Sequence, residues 1–324
     1  MRLRVNYLFL LFILIPTISL AGKQYNKNER YFNVNGVNLY CMTIGHGSPI
    51  IVLHGGPGLD HTYLLPQLKE LAKNHKLIFY DQRGSGKSSG AIDSESININ
   101  NFVSDLEGLR KALEIKKMNL LGHSWGGLLA MYYAINYPEH VKSLMLLNSV
   151  GYSSEFFSPF NQNVVRRRTP EDSIGIAKIM TSDEFKNADI GTMNIFFKIF
   201  FKSYFYNQSL DSELTIDFNK RTAENIFPIY NLFGKLLANF DIKEKLKILN
   251  CPVLIVHGDY DPIPLKCAEE LNADIKNSKL VVLKNCGHFS YIEAPRRLFK
   301  VCNEFLAQNK LERRIKKLGK NHVG

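Results

Sequence analysis

MNLLGHSWGGLLAMYYAINY, residues 118–137, is the stretch of sequence that decides the fold. It opens with a short apolar run at 118–121, passes through G-x-S-x-G at 122–126, and continues as a mostly apolar segment of helical length. Glycines on both sides of Ser124 permit a tight turn that lifts the serine hydroxyl clear of the strand end. The stretch therefore predicts a strand, a sharp turn carrying a candidate nucleophile, and a helix over 126–137.

Short aliphatic runs alternate with longer amphipathic segments on both sides of this stretch. This alternation is typical of an α/β protein with a mostly parallel sheet and helices on both faces. Ahead of it, Asn35-Gly36 lies between two alternating runs within 30–44, which predicts an antiparallel hairpin at the sheet edge. Buried strands are expected at 50–53, 77–80, 118–121, 144–147, 253–256 and 280–283, and helices at 64–73, 99–114, 126–137, 265–275 and 295–308.

The alternation is interrupted between about residue 151 and residue 240. This segment is rich in Phe, Tyr and Lys and has no clear strand pattern, so we expect a helical cap inserted into the sheet domain. The core domain is then made of residues 22–150 and 241–309. The basic segment 310–324 is expected to be solvated and frayed.

The N-terminus has the pattern of a secretory signal peptide over residues 1–21. Two arginines precede an apolar run at about 7–18, and the small residues Ser19 and Ala21 suit a cleavage site. The run is shorter than the roughly 20 residues that a membrane-spanning helix needs, and Pro16 interrupts it. We expect cleavage after Ala21, export to the periplasm or the medium, and no stable membrane attachment.

The formal net charge of +11 is concentrated near the two chain ends. The body between them is only mildly basic, so the charge does not indicate a nucleic-acid partner. The cysteines are odd in number and too scattered for a disulfide scaffold or a CxxC-type metal site. Four of them fall in the C-terminal quarter, where one or two bridges are compatible with the sequence: Cys251, Cys267, Cys286 and Cys302, with Cys41 far from them.

HGGPG at 54–58 directly follows the predicted strand at 50–53. Glycine lets a backbone N–H approach a developing oxyanion closely, and a run of glycines at a strand end costs chain entropy unless such access matters. With a nucleophile elbow, one oxyanion donor comes from this loop and the other from the residue after the nucleophile. The expected donors are the N–H groups of Gly56 and Trp125.

A serine hydroxyl is a weak nucleophile at neutral pH, so Ser124 needs a histidine base oriented by a carboxylate. HGDYD at 257–261 follows the strand at 253–256, and CGHF at 286–289 follows the strand at 280–283. The chain order serine, aspartate, histidine matches enzymes with this elbow. We favour His288 as base and Asp261 over Asp259 as acid, because the carboxylate usually comes three residues after the glycine of this loop.

Three motifs together, HGGPG at 54–58, DQRGSGKS at 81–88 and GHSWGG at 122–127, resemble the proline iminopeptidases, which are serine peptidases of the α/β-hydrolase fold. With the acid and base loops, the resemblance extends from about residue 31 to residue 306. It implies small peptide substrates with a free N-terminus and no metal or organic cofactor. It also implies the triad Ser124, Asp261 and His288 with oxyanion donors at Gly56 and Trp125.

The cap resembles this family only at TAENIF, residues 222–227. The resemblance implies that Glu224 pairs with the α-ammonium of the substrate, a charge-assisted hydrogen bond that distinguishes a free terminus from an internal amide. The alternative is that Glu224 lies on an exposed helix face. Pro262 stands where some relatives have a second carboxylate after the acid, so a second amine anchor would come from elsewhere.

Three functions are compatible with these observations. The first is a prolyl aminopeptidase that releases N-terminal proline through an acyl-enzyme. The second is a general esterase or amidase, favoured by the aromatic residues of the cap, although these would equally serve as cap core. The third is a non-catalytic binding protein on this fold, which has no need of a triad and an oxyanion hole. The oligomeric state is not indicated.

Overall fold

A mostly parallel sheet runs through the centre of the protein. The computed structural model describes residues 27–320, so the predicted signal peptide at 1–21 lies outside the described residues. Within 27–320 the sheet has eight strands in the spatial order β1-β2-β4-β3-β5-β6-β7-β8. They are β1 Asn28–Val34, β2 Val37–Ile44, β3 Pro49–Leu53, β4 Lys76–Tyr80, β5 Met118–His123, β6 Val141–Leu147, β7 Val253–Gly258 and β8 Ser278–Leu283.

The first two strands form the predicted antiparallel hairpin. Asn35 and Gly36 both have positive φ, 49° and 77°, which a two-residue turn of this kind requires. β2 pairs antiparallel with β4. All the remaining neighbours in the sheet, from β4 and β3 through to β7 and β8, pair in parallel. The antiparallel edge predicted from the sequence is confirmed.

Helices cover both faces of the sheet. Successive strand residues alternate between two core clusters: Leu120 packs with residues of α2 and α3, and Leu121 packs with residues near α1 and α12. Every residue of β5 and β7 is buried, as expected for strands covered on both sides. The helices of the sheet domain are α1 Leu65–Leu68, α2 Ile99–Ala112, α3 Trp125–Asn136, α9 Lys243–Leu246, α10 Leu265–Asp274, α11 Ser290–Glu293 and α12 Pro295–Lys320.

The segment 64–73 differs from the continuous helix expected there. A single α-helical turn, α1, is flanked by 3₁₀ turns at His61–Tyr63 and Lys69–Lys73. A 3₁₀ turn aligns residues three apart, which brings Leu68 and Leu71 to the same buried side. The apolar spacing was compatible with both helix types, and the segment combines the two.

Helices make up the insertion between β6 and β7, as predicted for the cap. They are α4 Phe157–Arg167, α5 Pro170–Thr181, α6 Asp183–Lys186, α7 Ile190–Lys202 and α8 Lys220–Leu236. Phe196 and Phe197 are buried, and their rings contact Phe227 of α8 at centroid distances of 5.7 and 5.8 Å. Many of the cap aromatics therefore form its own hydrophobic core.

The last helix corrects the expectation for the C-terminal segment. α12 does not end near residue 308 but continues to Lys320. Residues 310–318 are strong helix formers without Gly or Pro, so a helix anchored by buried Leu298, Cys302 and Leu306 propagates through them. Cys267, Cys286 and Cys302 are buried thiols without a bridge. Among the described residues, no helix has the length and apolar composition that crossing a membrane requires.

Candidate active site

Ser124 occupies the sharp turn between β5 and α3. Its φ of 55° and ψ of −123° are a strained combination for a residue with a side chain, and the residue is half-buried. A Cβ on Gly122 would collide with the carbonyl oxygen of Gly126, and a Cβ on Gly126 would collide with that of Leu53. The G-x-S-x-G spacing thus reflects the close approach of three backbone segments.

The loops after β7 and β8 bring the predicted acid and base together. His288 Nδ1 lies 3.0 and 3.1 Å from the two carboxylate oxygens of Asp261, and both residues are buried. Because a carboxylate only accepts, Nδ1 carries the proton and Nε2 is the basic nitrogen. Asp259 is directed elsewhere, with Oδ2 3.5 Å from Lys284 Nζ. The structure therefore joins Asp261, and not Asp259, to His288.

Interactions within the protein keep Asp261 ionised. Burial alone would raise its pKa, but the charges of His288 and His257 and the hydrogen bonds from His288 and Asn148 lower the pKa of Asp261 to about 2. Its Oδ1 also accepts the N–H of Ile263 at 2.9 Å. A carboxylate held in this way can orient an imidazole and stabilise its charged form at neutral pH.

Asn148 is a component of the site that the sequence analysis missed. It follows β6 directly, with φ of 46°, and its side-chain N–H groups donate to Asp261 Oδ2 at 2.7 Å and to the carbonyl of Gly287 at 3.0 Å. Its Oδ1 is buried without a hydrogen-bond partner among the described residues. Both neighbours only accept, so the amide must direct both donors at them. An asparagine directly after a buried strand was the available signal.

The predicted oxyanion donors lie beside the nucleophile. A Cβ on Gly55 would come within 3.1 Å of Ser124 Cβ, so the loop after β3 passes next to the elbow. The N–H of Gly55 is donated to Tyr63 Oη at 2.6 Å, and the donor role of the following residue, Gly56, stays a prediction. Trp125 is the first residue of α3, and a first-turn N–H has no acceptor within its own helix.

His54 supports, as a neutral imidazole, the loop at 54–58 that carries Gly56, here called the oxyanion loop. Its Nε2 accepts the N–H of Gln82 at 3.0 Å, so Nδ1 carries the proton and donates to the carbonyl of Gly55 at 2.9 Å. Burial lowers the pKa of His54 to about 4. Gln82 Oε1 in turn accepts from Trp125 Nε1 at 2.8 Å. This hydrogen bond connects the loop DQRGSGKS at 81–88 to the turn at Ser124.

His123 links the three catalytic loops. Its Nε2 lies 3.0 Å from the carbonyl of His288, which only accepts, so Nε2 donates and Nδ1 accepts the hydroxyl of Tyr63 at 2.8 Å. The same hydroxyl accepts from Gly55. Burial lowers the pKa of His123 to about 3. Both ring nitrogens of this neutral residue are engaged, so it positions loops and does not act as the base.

Glu224 lies on the exposed side of α8. The core-facing side of α8 carries Thr222, Ile226 and Ile229, and Ile226 packs directly on Gly58 of the oxyanion loop. Glu224 falls two positions before Ile226, roughly the opposite side of a helix with 3.6 residues per turn. Its side chain is 51% exposed and lies 3.8 Å from Lys220 Nζ. The side chain therefore lies on an exposed helix face, as in the alternative reading, and the role of Glu224 as amine anchor stays a prediction.

Asp60, His61 and Asp81 form a second buried polar cluster, with potential ligand atoms within 4.8 Å of one another. Each is hydrogen-bonded within the protein: His61 Nδ1 lies 2.7 Å from Asp81 Oδ1, and Asp60 accepts the backbone N–H of Thr62 at 2.9 Å. Asp60 also accepts the hydroxyl of Thr222 at 3.2 Å. The cluster fastens α8 of the cap to the loops of the sheet domain.

Comparison with known proteins agrees with this geometry. The profile of the alpha/beta hydrolase fold family matches residues 48–295. The proline iminopeptidase of Saccharolobus solfataricus is 30% identical over 308 residues, which cover 90% of this chain and 96% of that protein. The proline iminopeptidase of Heyndrickxia coagulans is 32% identical over 272 residues, covering 81% of this chain and 91% of that protein.

Solved structures share the fold at lower sequence identity. The proline iminopeptidase of Mycobacterium smegmatis aligns with a TM-score of 0.65 and 20% identity, covering 88% of this chain and 99% of that one. A meta-cleavage product hydrolase aligns with a TM-score of 0.66 and 24% identity, covering 86% and 98%. At these identities the structural likeness speaks for the common fold alone.

Proposed function

The chain belongs to the proline iminopeptidases of the alpha/beta hydrolase fold family, and from this premise we propose that it is a serine aminopeptidase releasing N-terminal proline from peptides. The observation that carries the proposal is the hydrogen-bonded pair of Asp261 and His288 delivered to the elbow. The ring of His288 lies 4.7 Å from that of His123, the residue before Ser124. Ser124, Asp261 and His288 follow the carboxyl ends of β5, β7 and β8, which supports the proposed triad.

The proposed reaction begins with attack of Ser124 Oγ on the carbonyl carbon of the first residue of the peptide. His288 Nε2 takes the hydroxyl proton, and Asp261 holds the resulting imidazolium through Nδ1. The N–H groups of Gly56 and Trp125 stabilise the negative oxygen of the tetrahedral intermediate. His288 then returns the proton to the leaving amine, and the acyl-enzyme remains. In the second half of the reaction His288 takes a proton from the attacking water and gives it to Ser124 Oγ as the acyl group leaves.

Small peptides with a free N-terminus are the proposed substrates. The names of the relatives support this class, and the alternative is a general esterase or amidase. The two differ in whether the substrate must carry an α-ammonium, because a site built for a charged amine discriminates strongly against a neutral one. The exposed carboxylate of Glu224, 3.8 Å from Lys220 Nζ, does not support a buried amine anchor at this position.

A substrate panel tests the proposal. Purified protein is offered proline naphthylamide, alanine naphthylamide, N-blocked proline naphthylamide and a short-chain p-nitrophenyl ester, with Ser124→Ala as control. We expect free proline naphthylamide to be hydrolysed with the highest kcat/KM and the serine variant to be inactive. Equal cleavage of blocked and free proline substrates would replace the aminopeptidase by the general esterase or amidase.

We also propose that the protein is exported and matures by cleavage after Ala21. The support is the apolar run that follows Arg2 and Arg4 and is followed by the small residues Ser19 and Ala21. N-terminal sequencing of protein recovered from cell fractions tests this, and the expected first residue is Gly22. Recovery of the full-length chain from the cytoplasm would contradict the proposal.

A further inference from the structure

The loop that carries Asp261 is held by the cap as well as by the sheet domain. Arg167, the last residue of α4, donates from Nη1 to the carbonyl of Tyr260 at 2.6 Å and from Nη2 to the carbonyl of Asp261 at 3.2 Å. Asn163, one turn earlier, donates to the carbonyl of Pro262 at 3.0 Å. Three successive carbonyls of an irregular loop thus take their hydrogen bonds from one cap helix, because no strand or helix partner serves them there.

The guanidinium of Arg167 suits this position better than any other cation. Its Cζ lies 3.9 Å from the ring centroid of Tyr260, so the group lies over the aromatic face while its donors reach the two carbonyls. A second cap residue, Tyr206, contacts the same ring edge to face at 5.4 Å. The planar guanidinium can donate to two carbonyls from its edge while its face lies on the ring, whereas the ammonium of lysine is a point charge without this fixed fork of donors.

Three consecutive arginines have three different surroundings. Arg166 is exposed. Arg167 is the member that reaches the acid loop. Arg168 lies over the ring of Phe200 within the cap, at 4.9 Å from its centroid. The chain therefore offers a neighbouring arginine of the same charge and chemistry as a control for Arg167.

We propose that Arg167 is a positioning residue for the catalytic acid. The carboxylate of Asp261 is fixed from the inside by Asn148 and by the N–H of Ile263, and its backbone is fixed from the outside by Arg167. Displacing the loop by a fraction of an ångström changes how the carboxylate meets His288. The inference rests on the proposed function to the extent that Asp261 is the triad acid. In this proposal the cap contributes to catalysis by holding the loop of the catalytic acid in place, and not only by bounding the substrate site.

The test compares Arg167→Gln and Arg167→Lys with Arg166→Gln in the full chain. For each we measure kcat and KM with proline naphthylamide, the rate at which a fluorophosphonate labels Ser124, and the thermal unfolding curve. The values of kcat and of the labelling rate are expressed per folded molecule. We expect kcat and the labelling rate of both Arg167 variants to fall about 10- to 100-fold, the cost of a small misplacement in an active site. KM should stay near the wild-type value, and Arg166→Gln should match wild type throughout.

The lysine variant makes the proposal falsifiable. It keeps the charge but lacks the donor fork, so a purely electrostatic contribution would leave it near wild type, whereas a positioning role would not. Labelling of Arg167→Lys at the wild-type rate per folded molecule would overturn the proposal, and so would losses fully explained by unfolding. Fluorophosphonate labelling does not depend on recognition of proline. If wild type is labelled but does not cleave proline substrates, the aminopeptidase proposal fails and the Arg167 comparison is still decided by the labelling rates.

Discussion

Replacing Asn148 with glycine removes the two donors that connect the acid loop to the base loop. The side chain donates to Asp261 Oδ2 at 2.7 Å and to the carbonyl of Gly287 at 3.0 Å. Its backbone has a φ of 46°, a conformation that glycine adopts without strain and that alanine would resist. Glycine therefore deletes the hydrogen bonds while leaving the chain path at the end of β6 possible.

The expected effect follows from the charge of the acceptor. A hydrogen bond to a charged group contributes roughly 1.5–3 kcal/mol, which corresponds to roughly 10- to 150-fold in rate when the bond acts in the transition state. The same loss raises the pKa of Asp261, but the interactions with His288 and His257 that lower this pKa are kept. The carboxylate therefore stays ionised at neutral pH. The activity lost there comes from a misoriented Asp261 and His288, and we expect it mainly in kcat.

The measurement is kcat and KM with proline naphthylamide near pH 7.5, with thermal unfolding of each variant. Asn119→Ala is the matched control, because Asn119, a buried asparagine of β5, donates to the carbonyl of Pro49 at 2.8 Å, away from the triad loops. It should lower stability and leave kcat per folded molecule unchanged. If Asn148→Gly retained the kcat of Asn119→Ala, its hydrogen bonds would have no catalytic importance and the reasoning would be refuted.

Four further outcomes follow from the geometry. Asp261→Asn should reduce kcat by orders of magnitude, because it misorients His288, and Asp259→Asn should leave kcat near the wild-type value. Steady-state kinetics of the two variants tests this prediction, and the reverse ranking would assign the acid to Asp259. The pKa of Asp261 is lowered from 3.8 to about 2, so its charge stabilises the fold above about pH 4, and this contribution of roughly 2 kcal/mol is lost as the pH falls through 2. Denaturant titrations should therefore show the stability gap between wild type and Asp261→Asn shrinking in that range, and a constant gap would contradict the shift. Glu224→Gln should change kcat/KM for proline naphthylamide less than about twofold, as expected for an exposed ion pair; a tenfold loss would restore Glu224 as the amine anchor. Deleting residues from Lys310 onward should leave kcat unchanged, since α12 is anchored by residues before it; loss of activity would show that the end of α12 contributes to the site.

The sheet and the three catalytic loops were predictable because their signals are local. A strand buried on both faces has a continuous run of apolar residues in its sequence. A strand-to-helix turn as tight as that at Ser124 admits only glycine at 122 and 126. Parallel strands also deliver their carboxyl ends to a single edge, so motifs far apart in the chain could be expected to meet there. The order of Ser124, Asp261 and His288 along the chain then followed from the motifs.

The position of Glu224 could have been read from the sequence but was not. Apolar residues at 223, 226, 229 and 233 recur at helical spacing and define the buried side of α8, and Glu224 falls off that side. The short match at 222–227 was given more weight than the periodicity of the helix that contains it. A local motif identifies a residue type, whereas the phase of the helix decides which way it faces.

The supports of the triad, by contrast, have no local signal. Nothing in a run of three arginines distinguishes Arg167 from its neighbours, since the distinction arises only when α4 meets the acid loop. The base loop shows the same dependence, because the N–H of His288 donates to the carbonyl of Tyr204, a cap residue, at 2.8 Å, and its carbonyl accepts from His123 of the elbow. The acid and base loops are therefore each held between the sheet domain and the cap. The residues that react are encoded in short motifs, but the geometry that makes them reactive depends on contacts between segments that are distant in the chain.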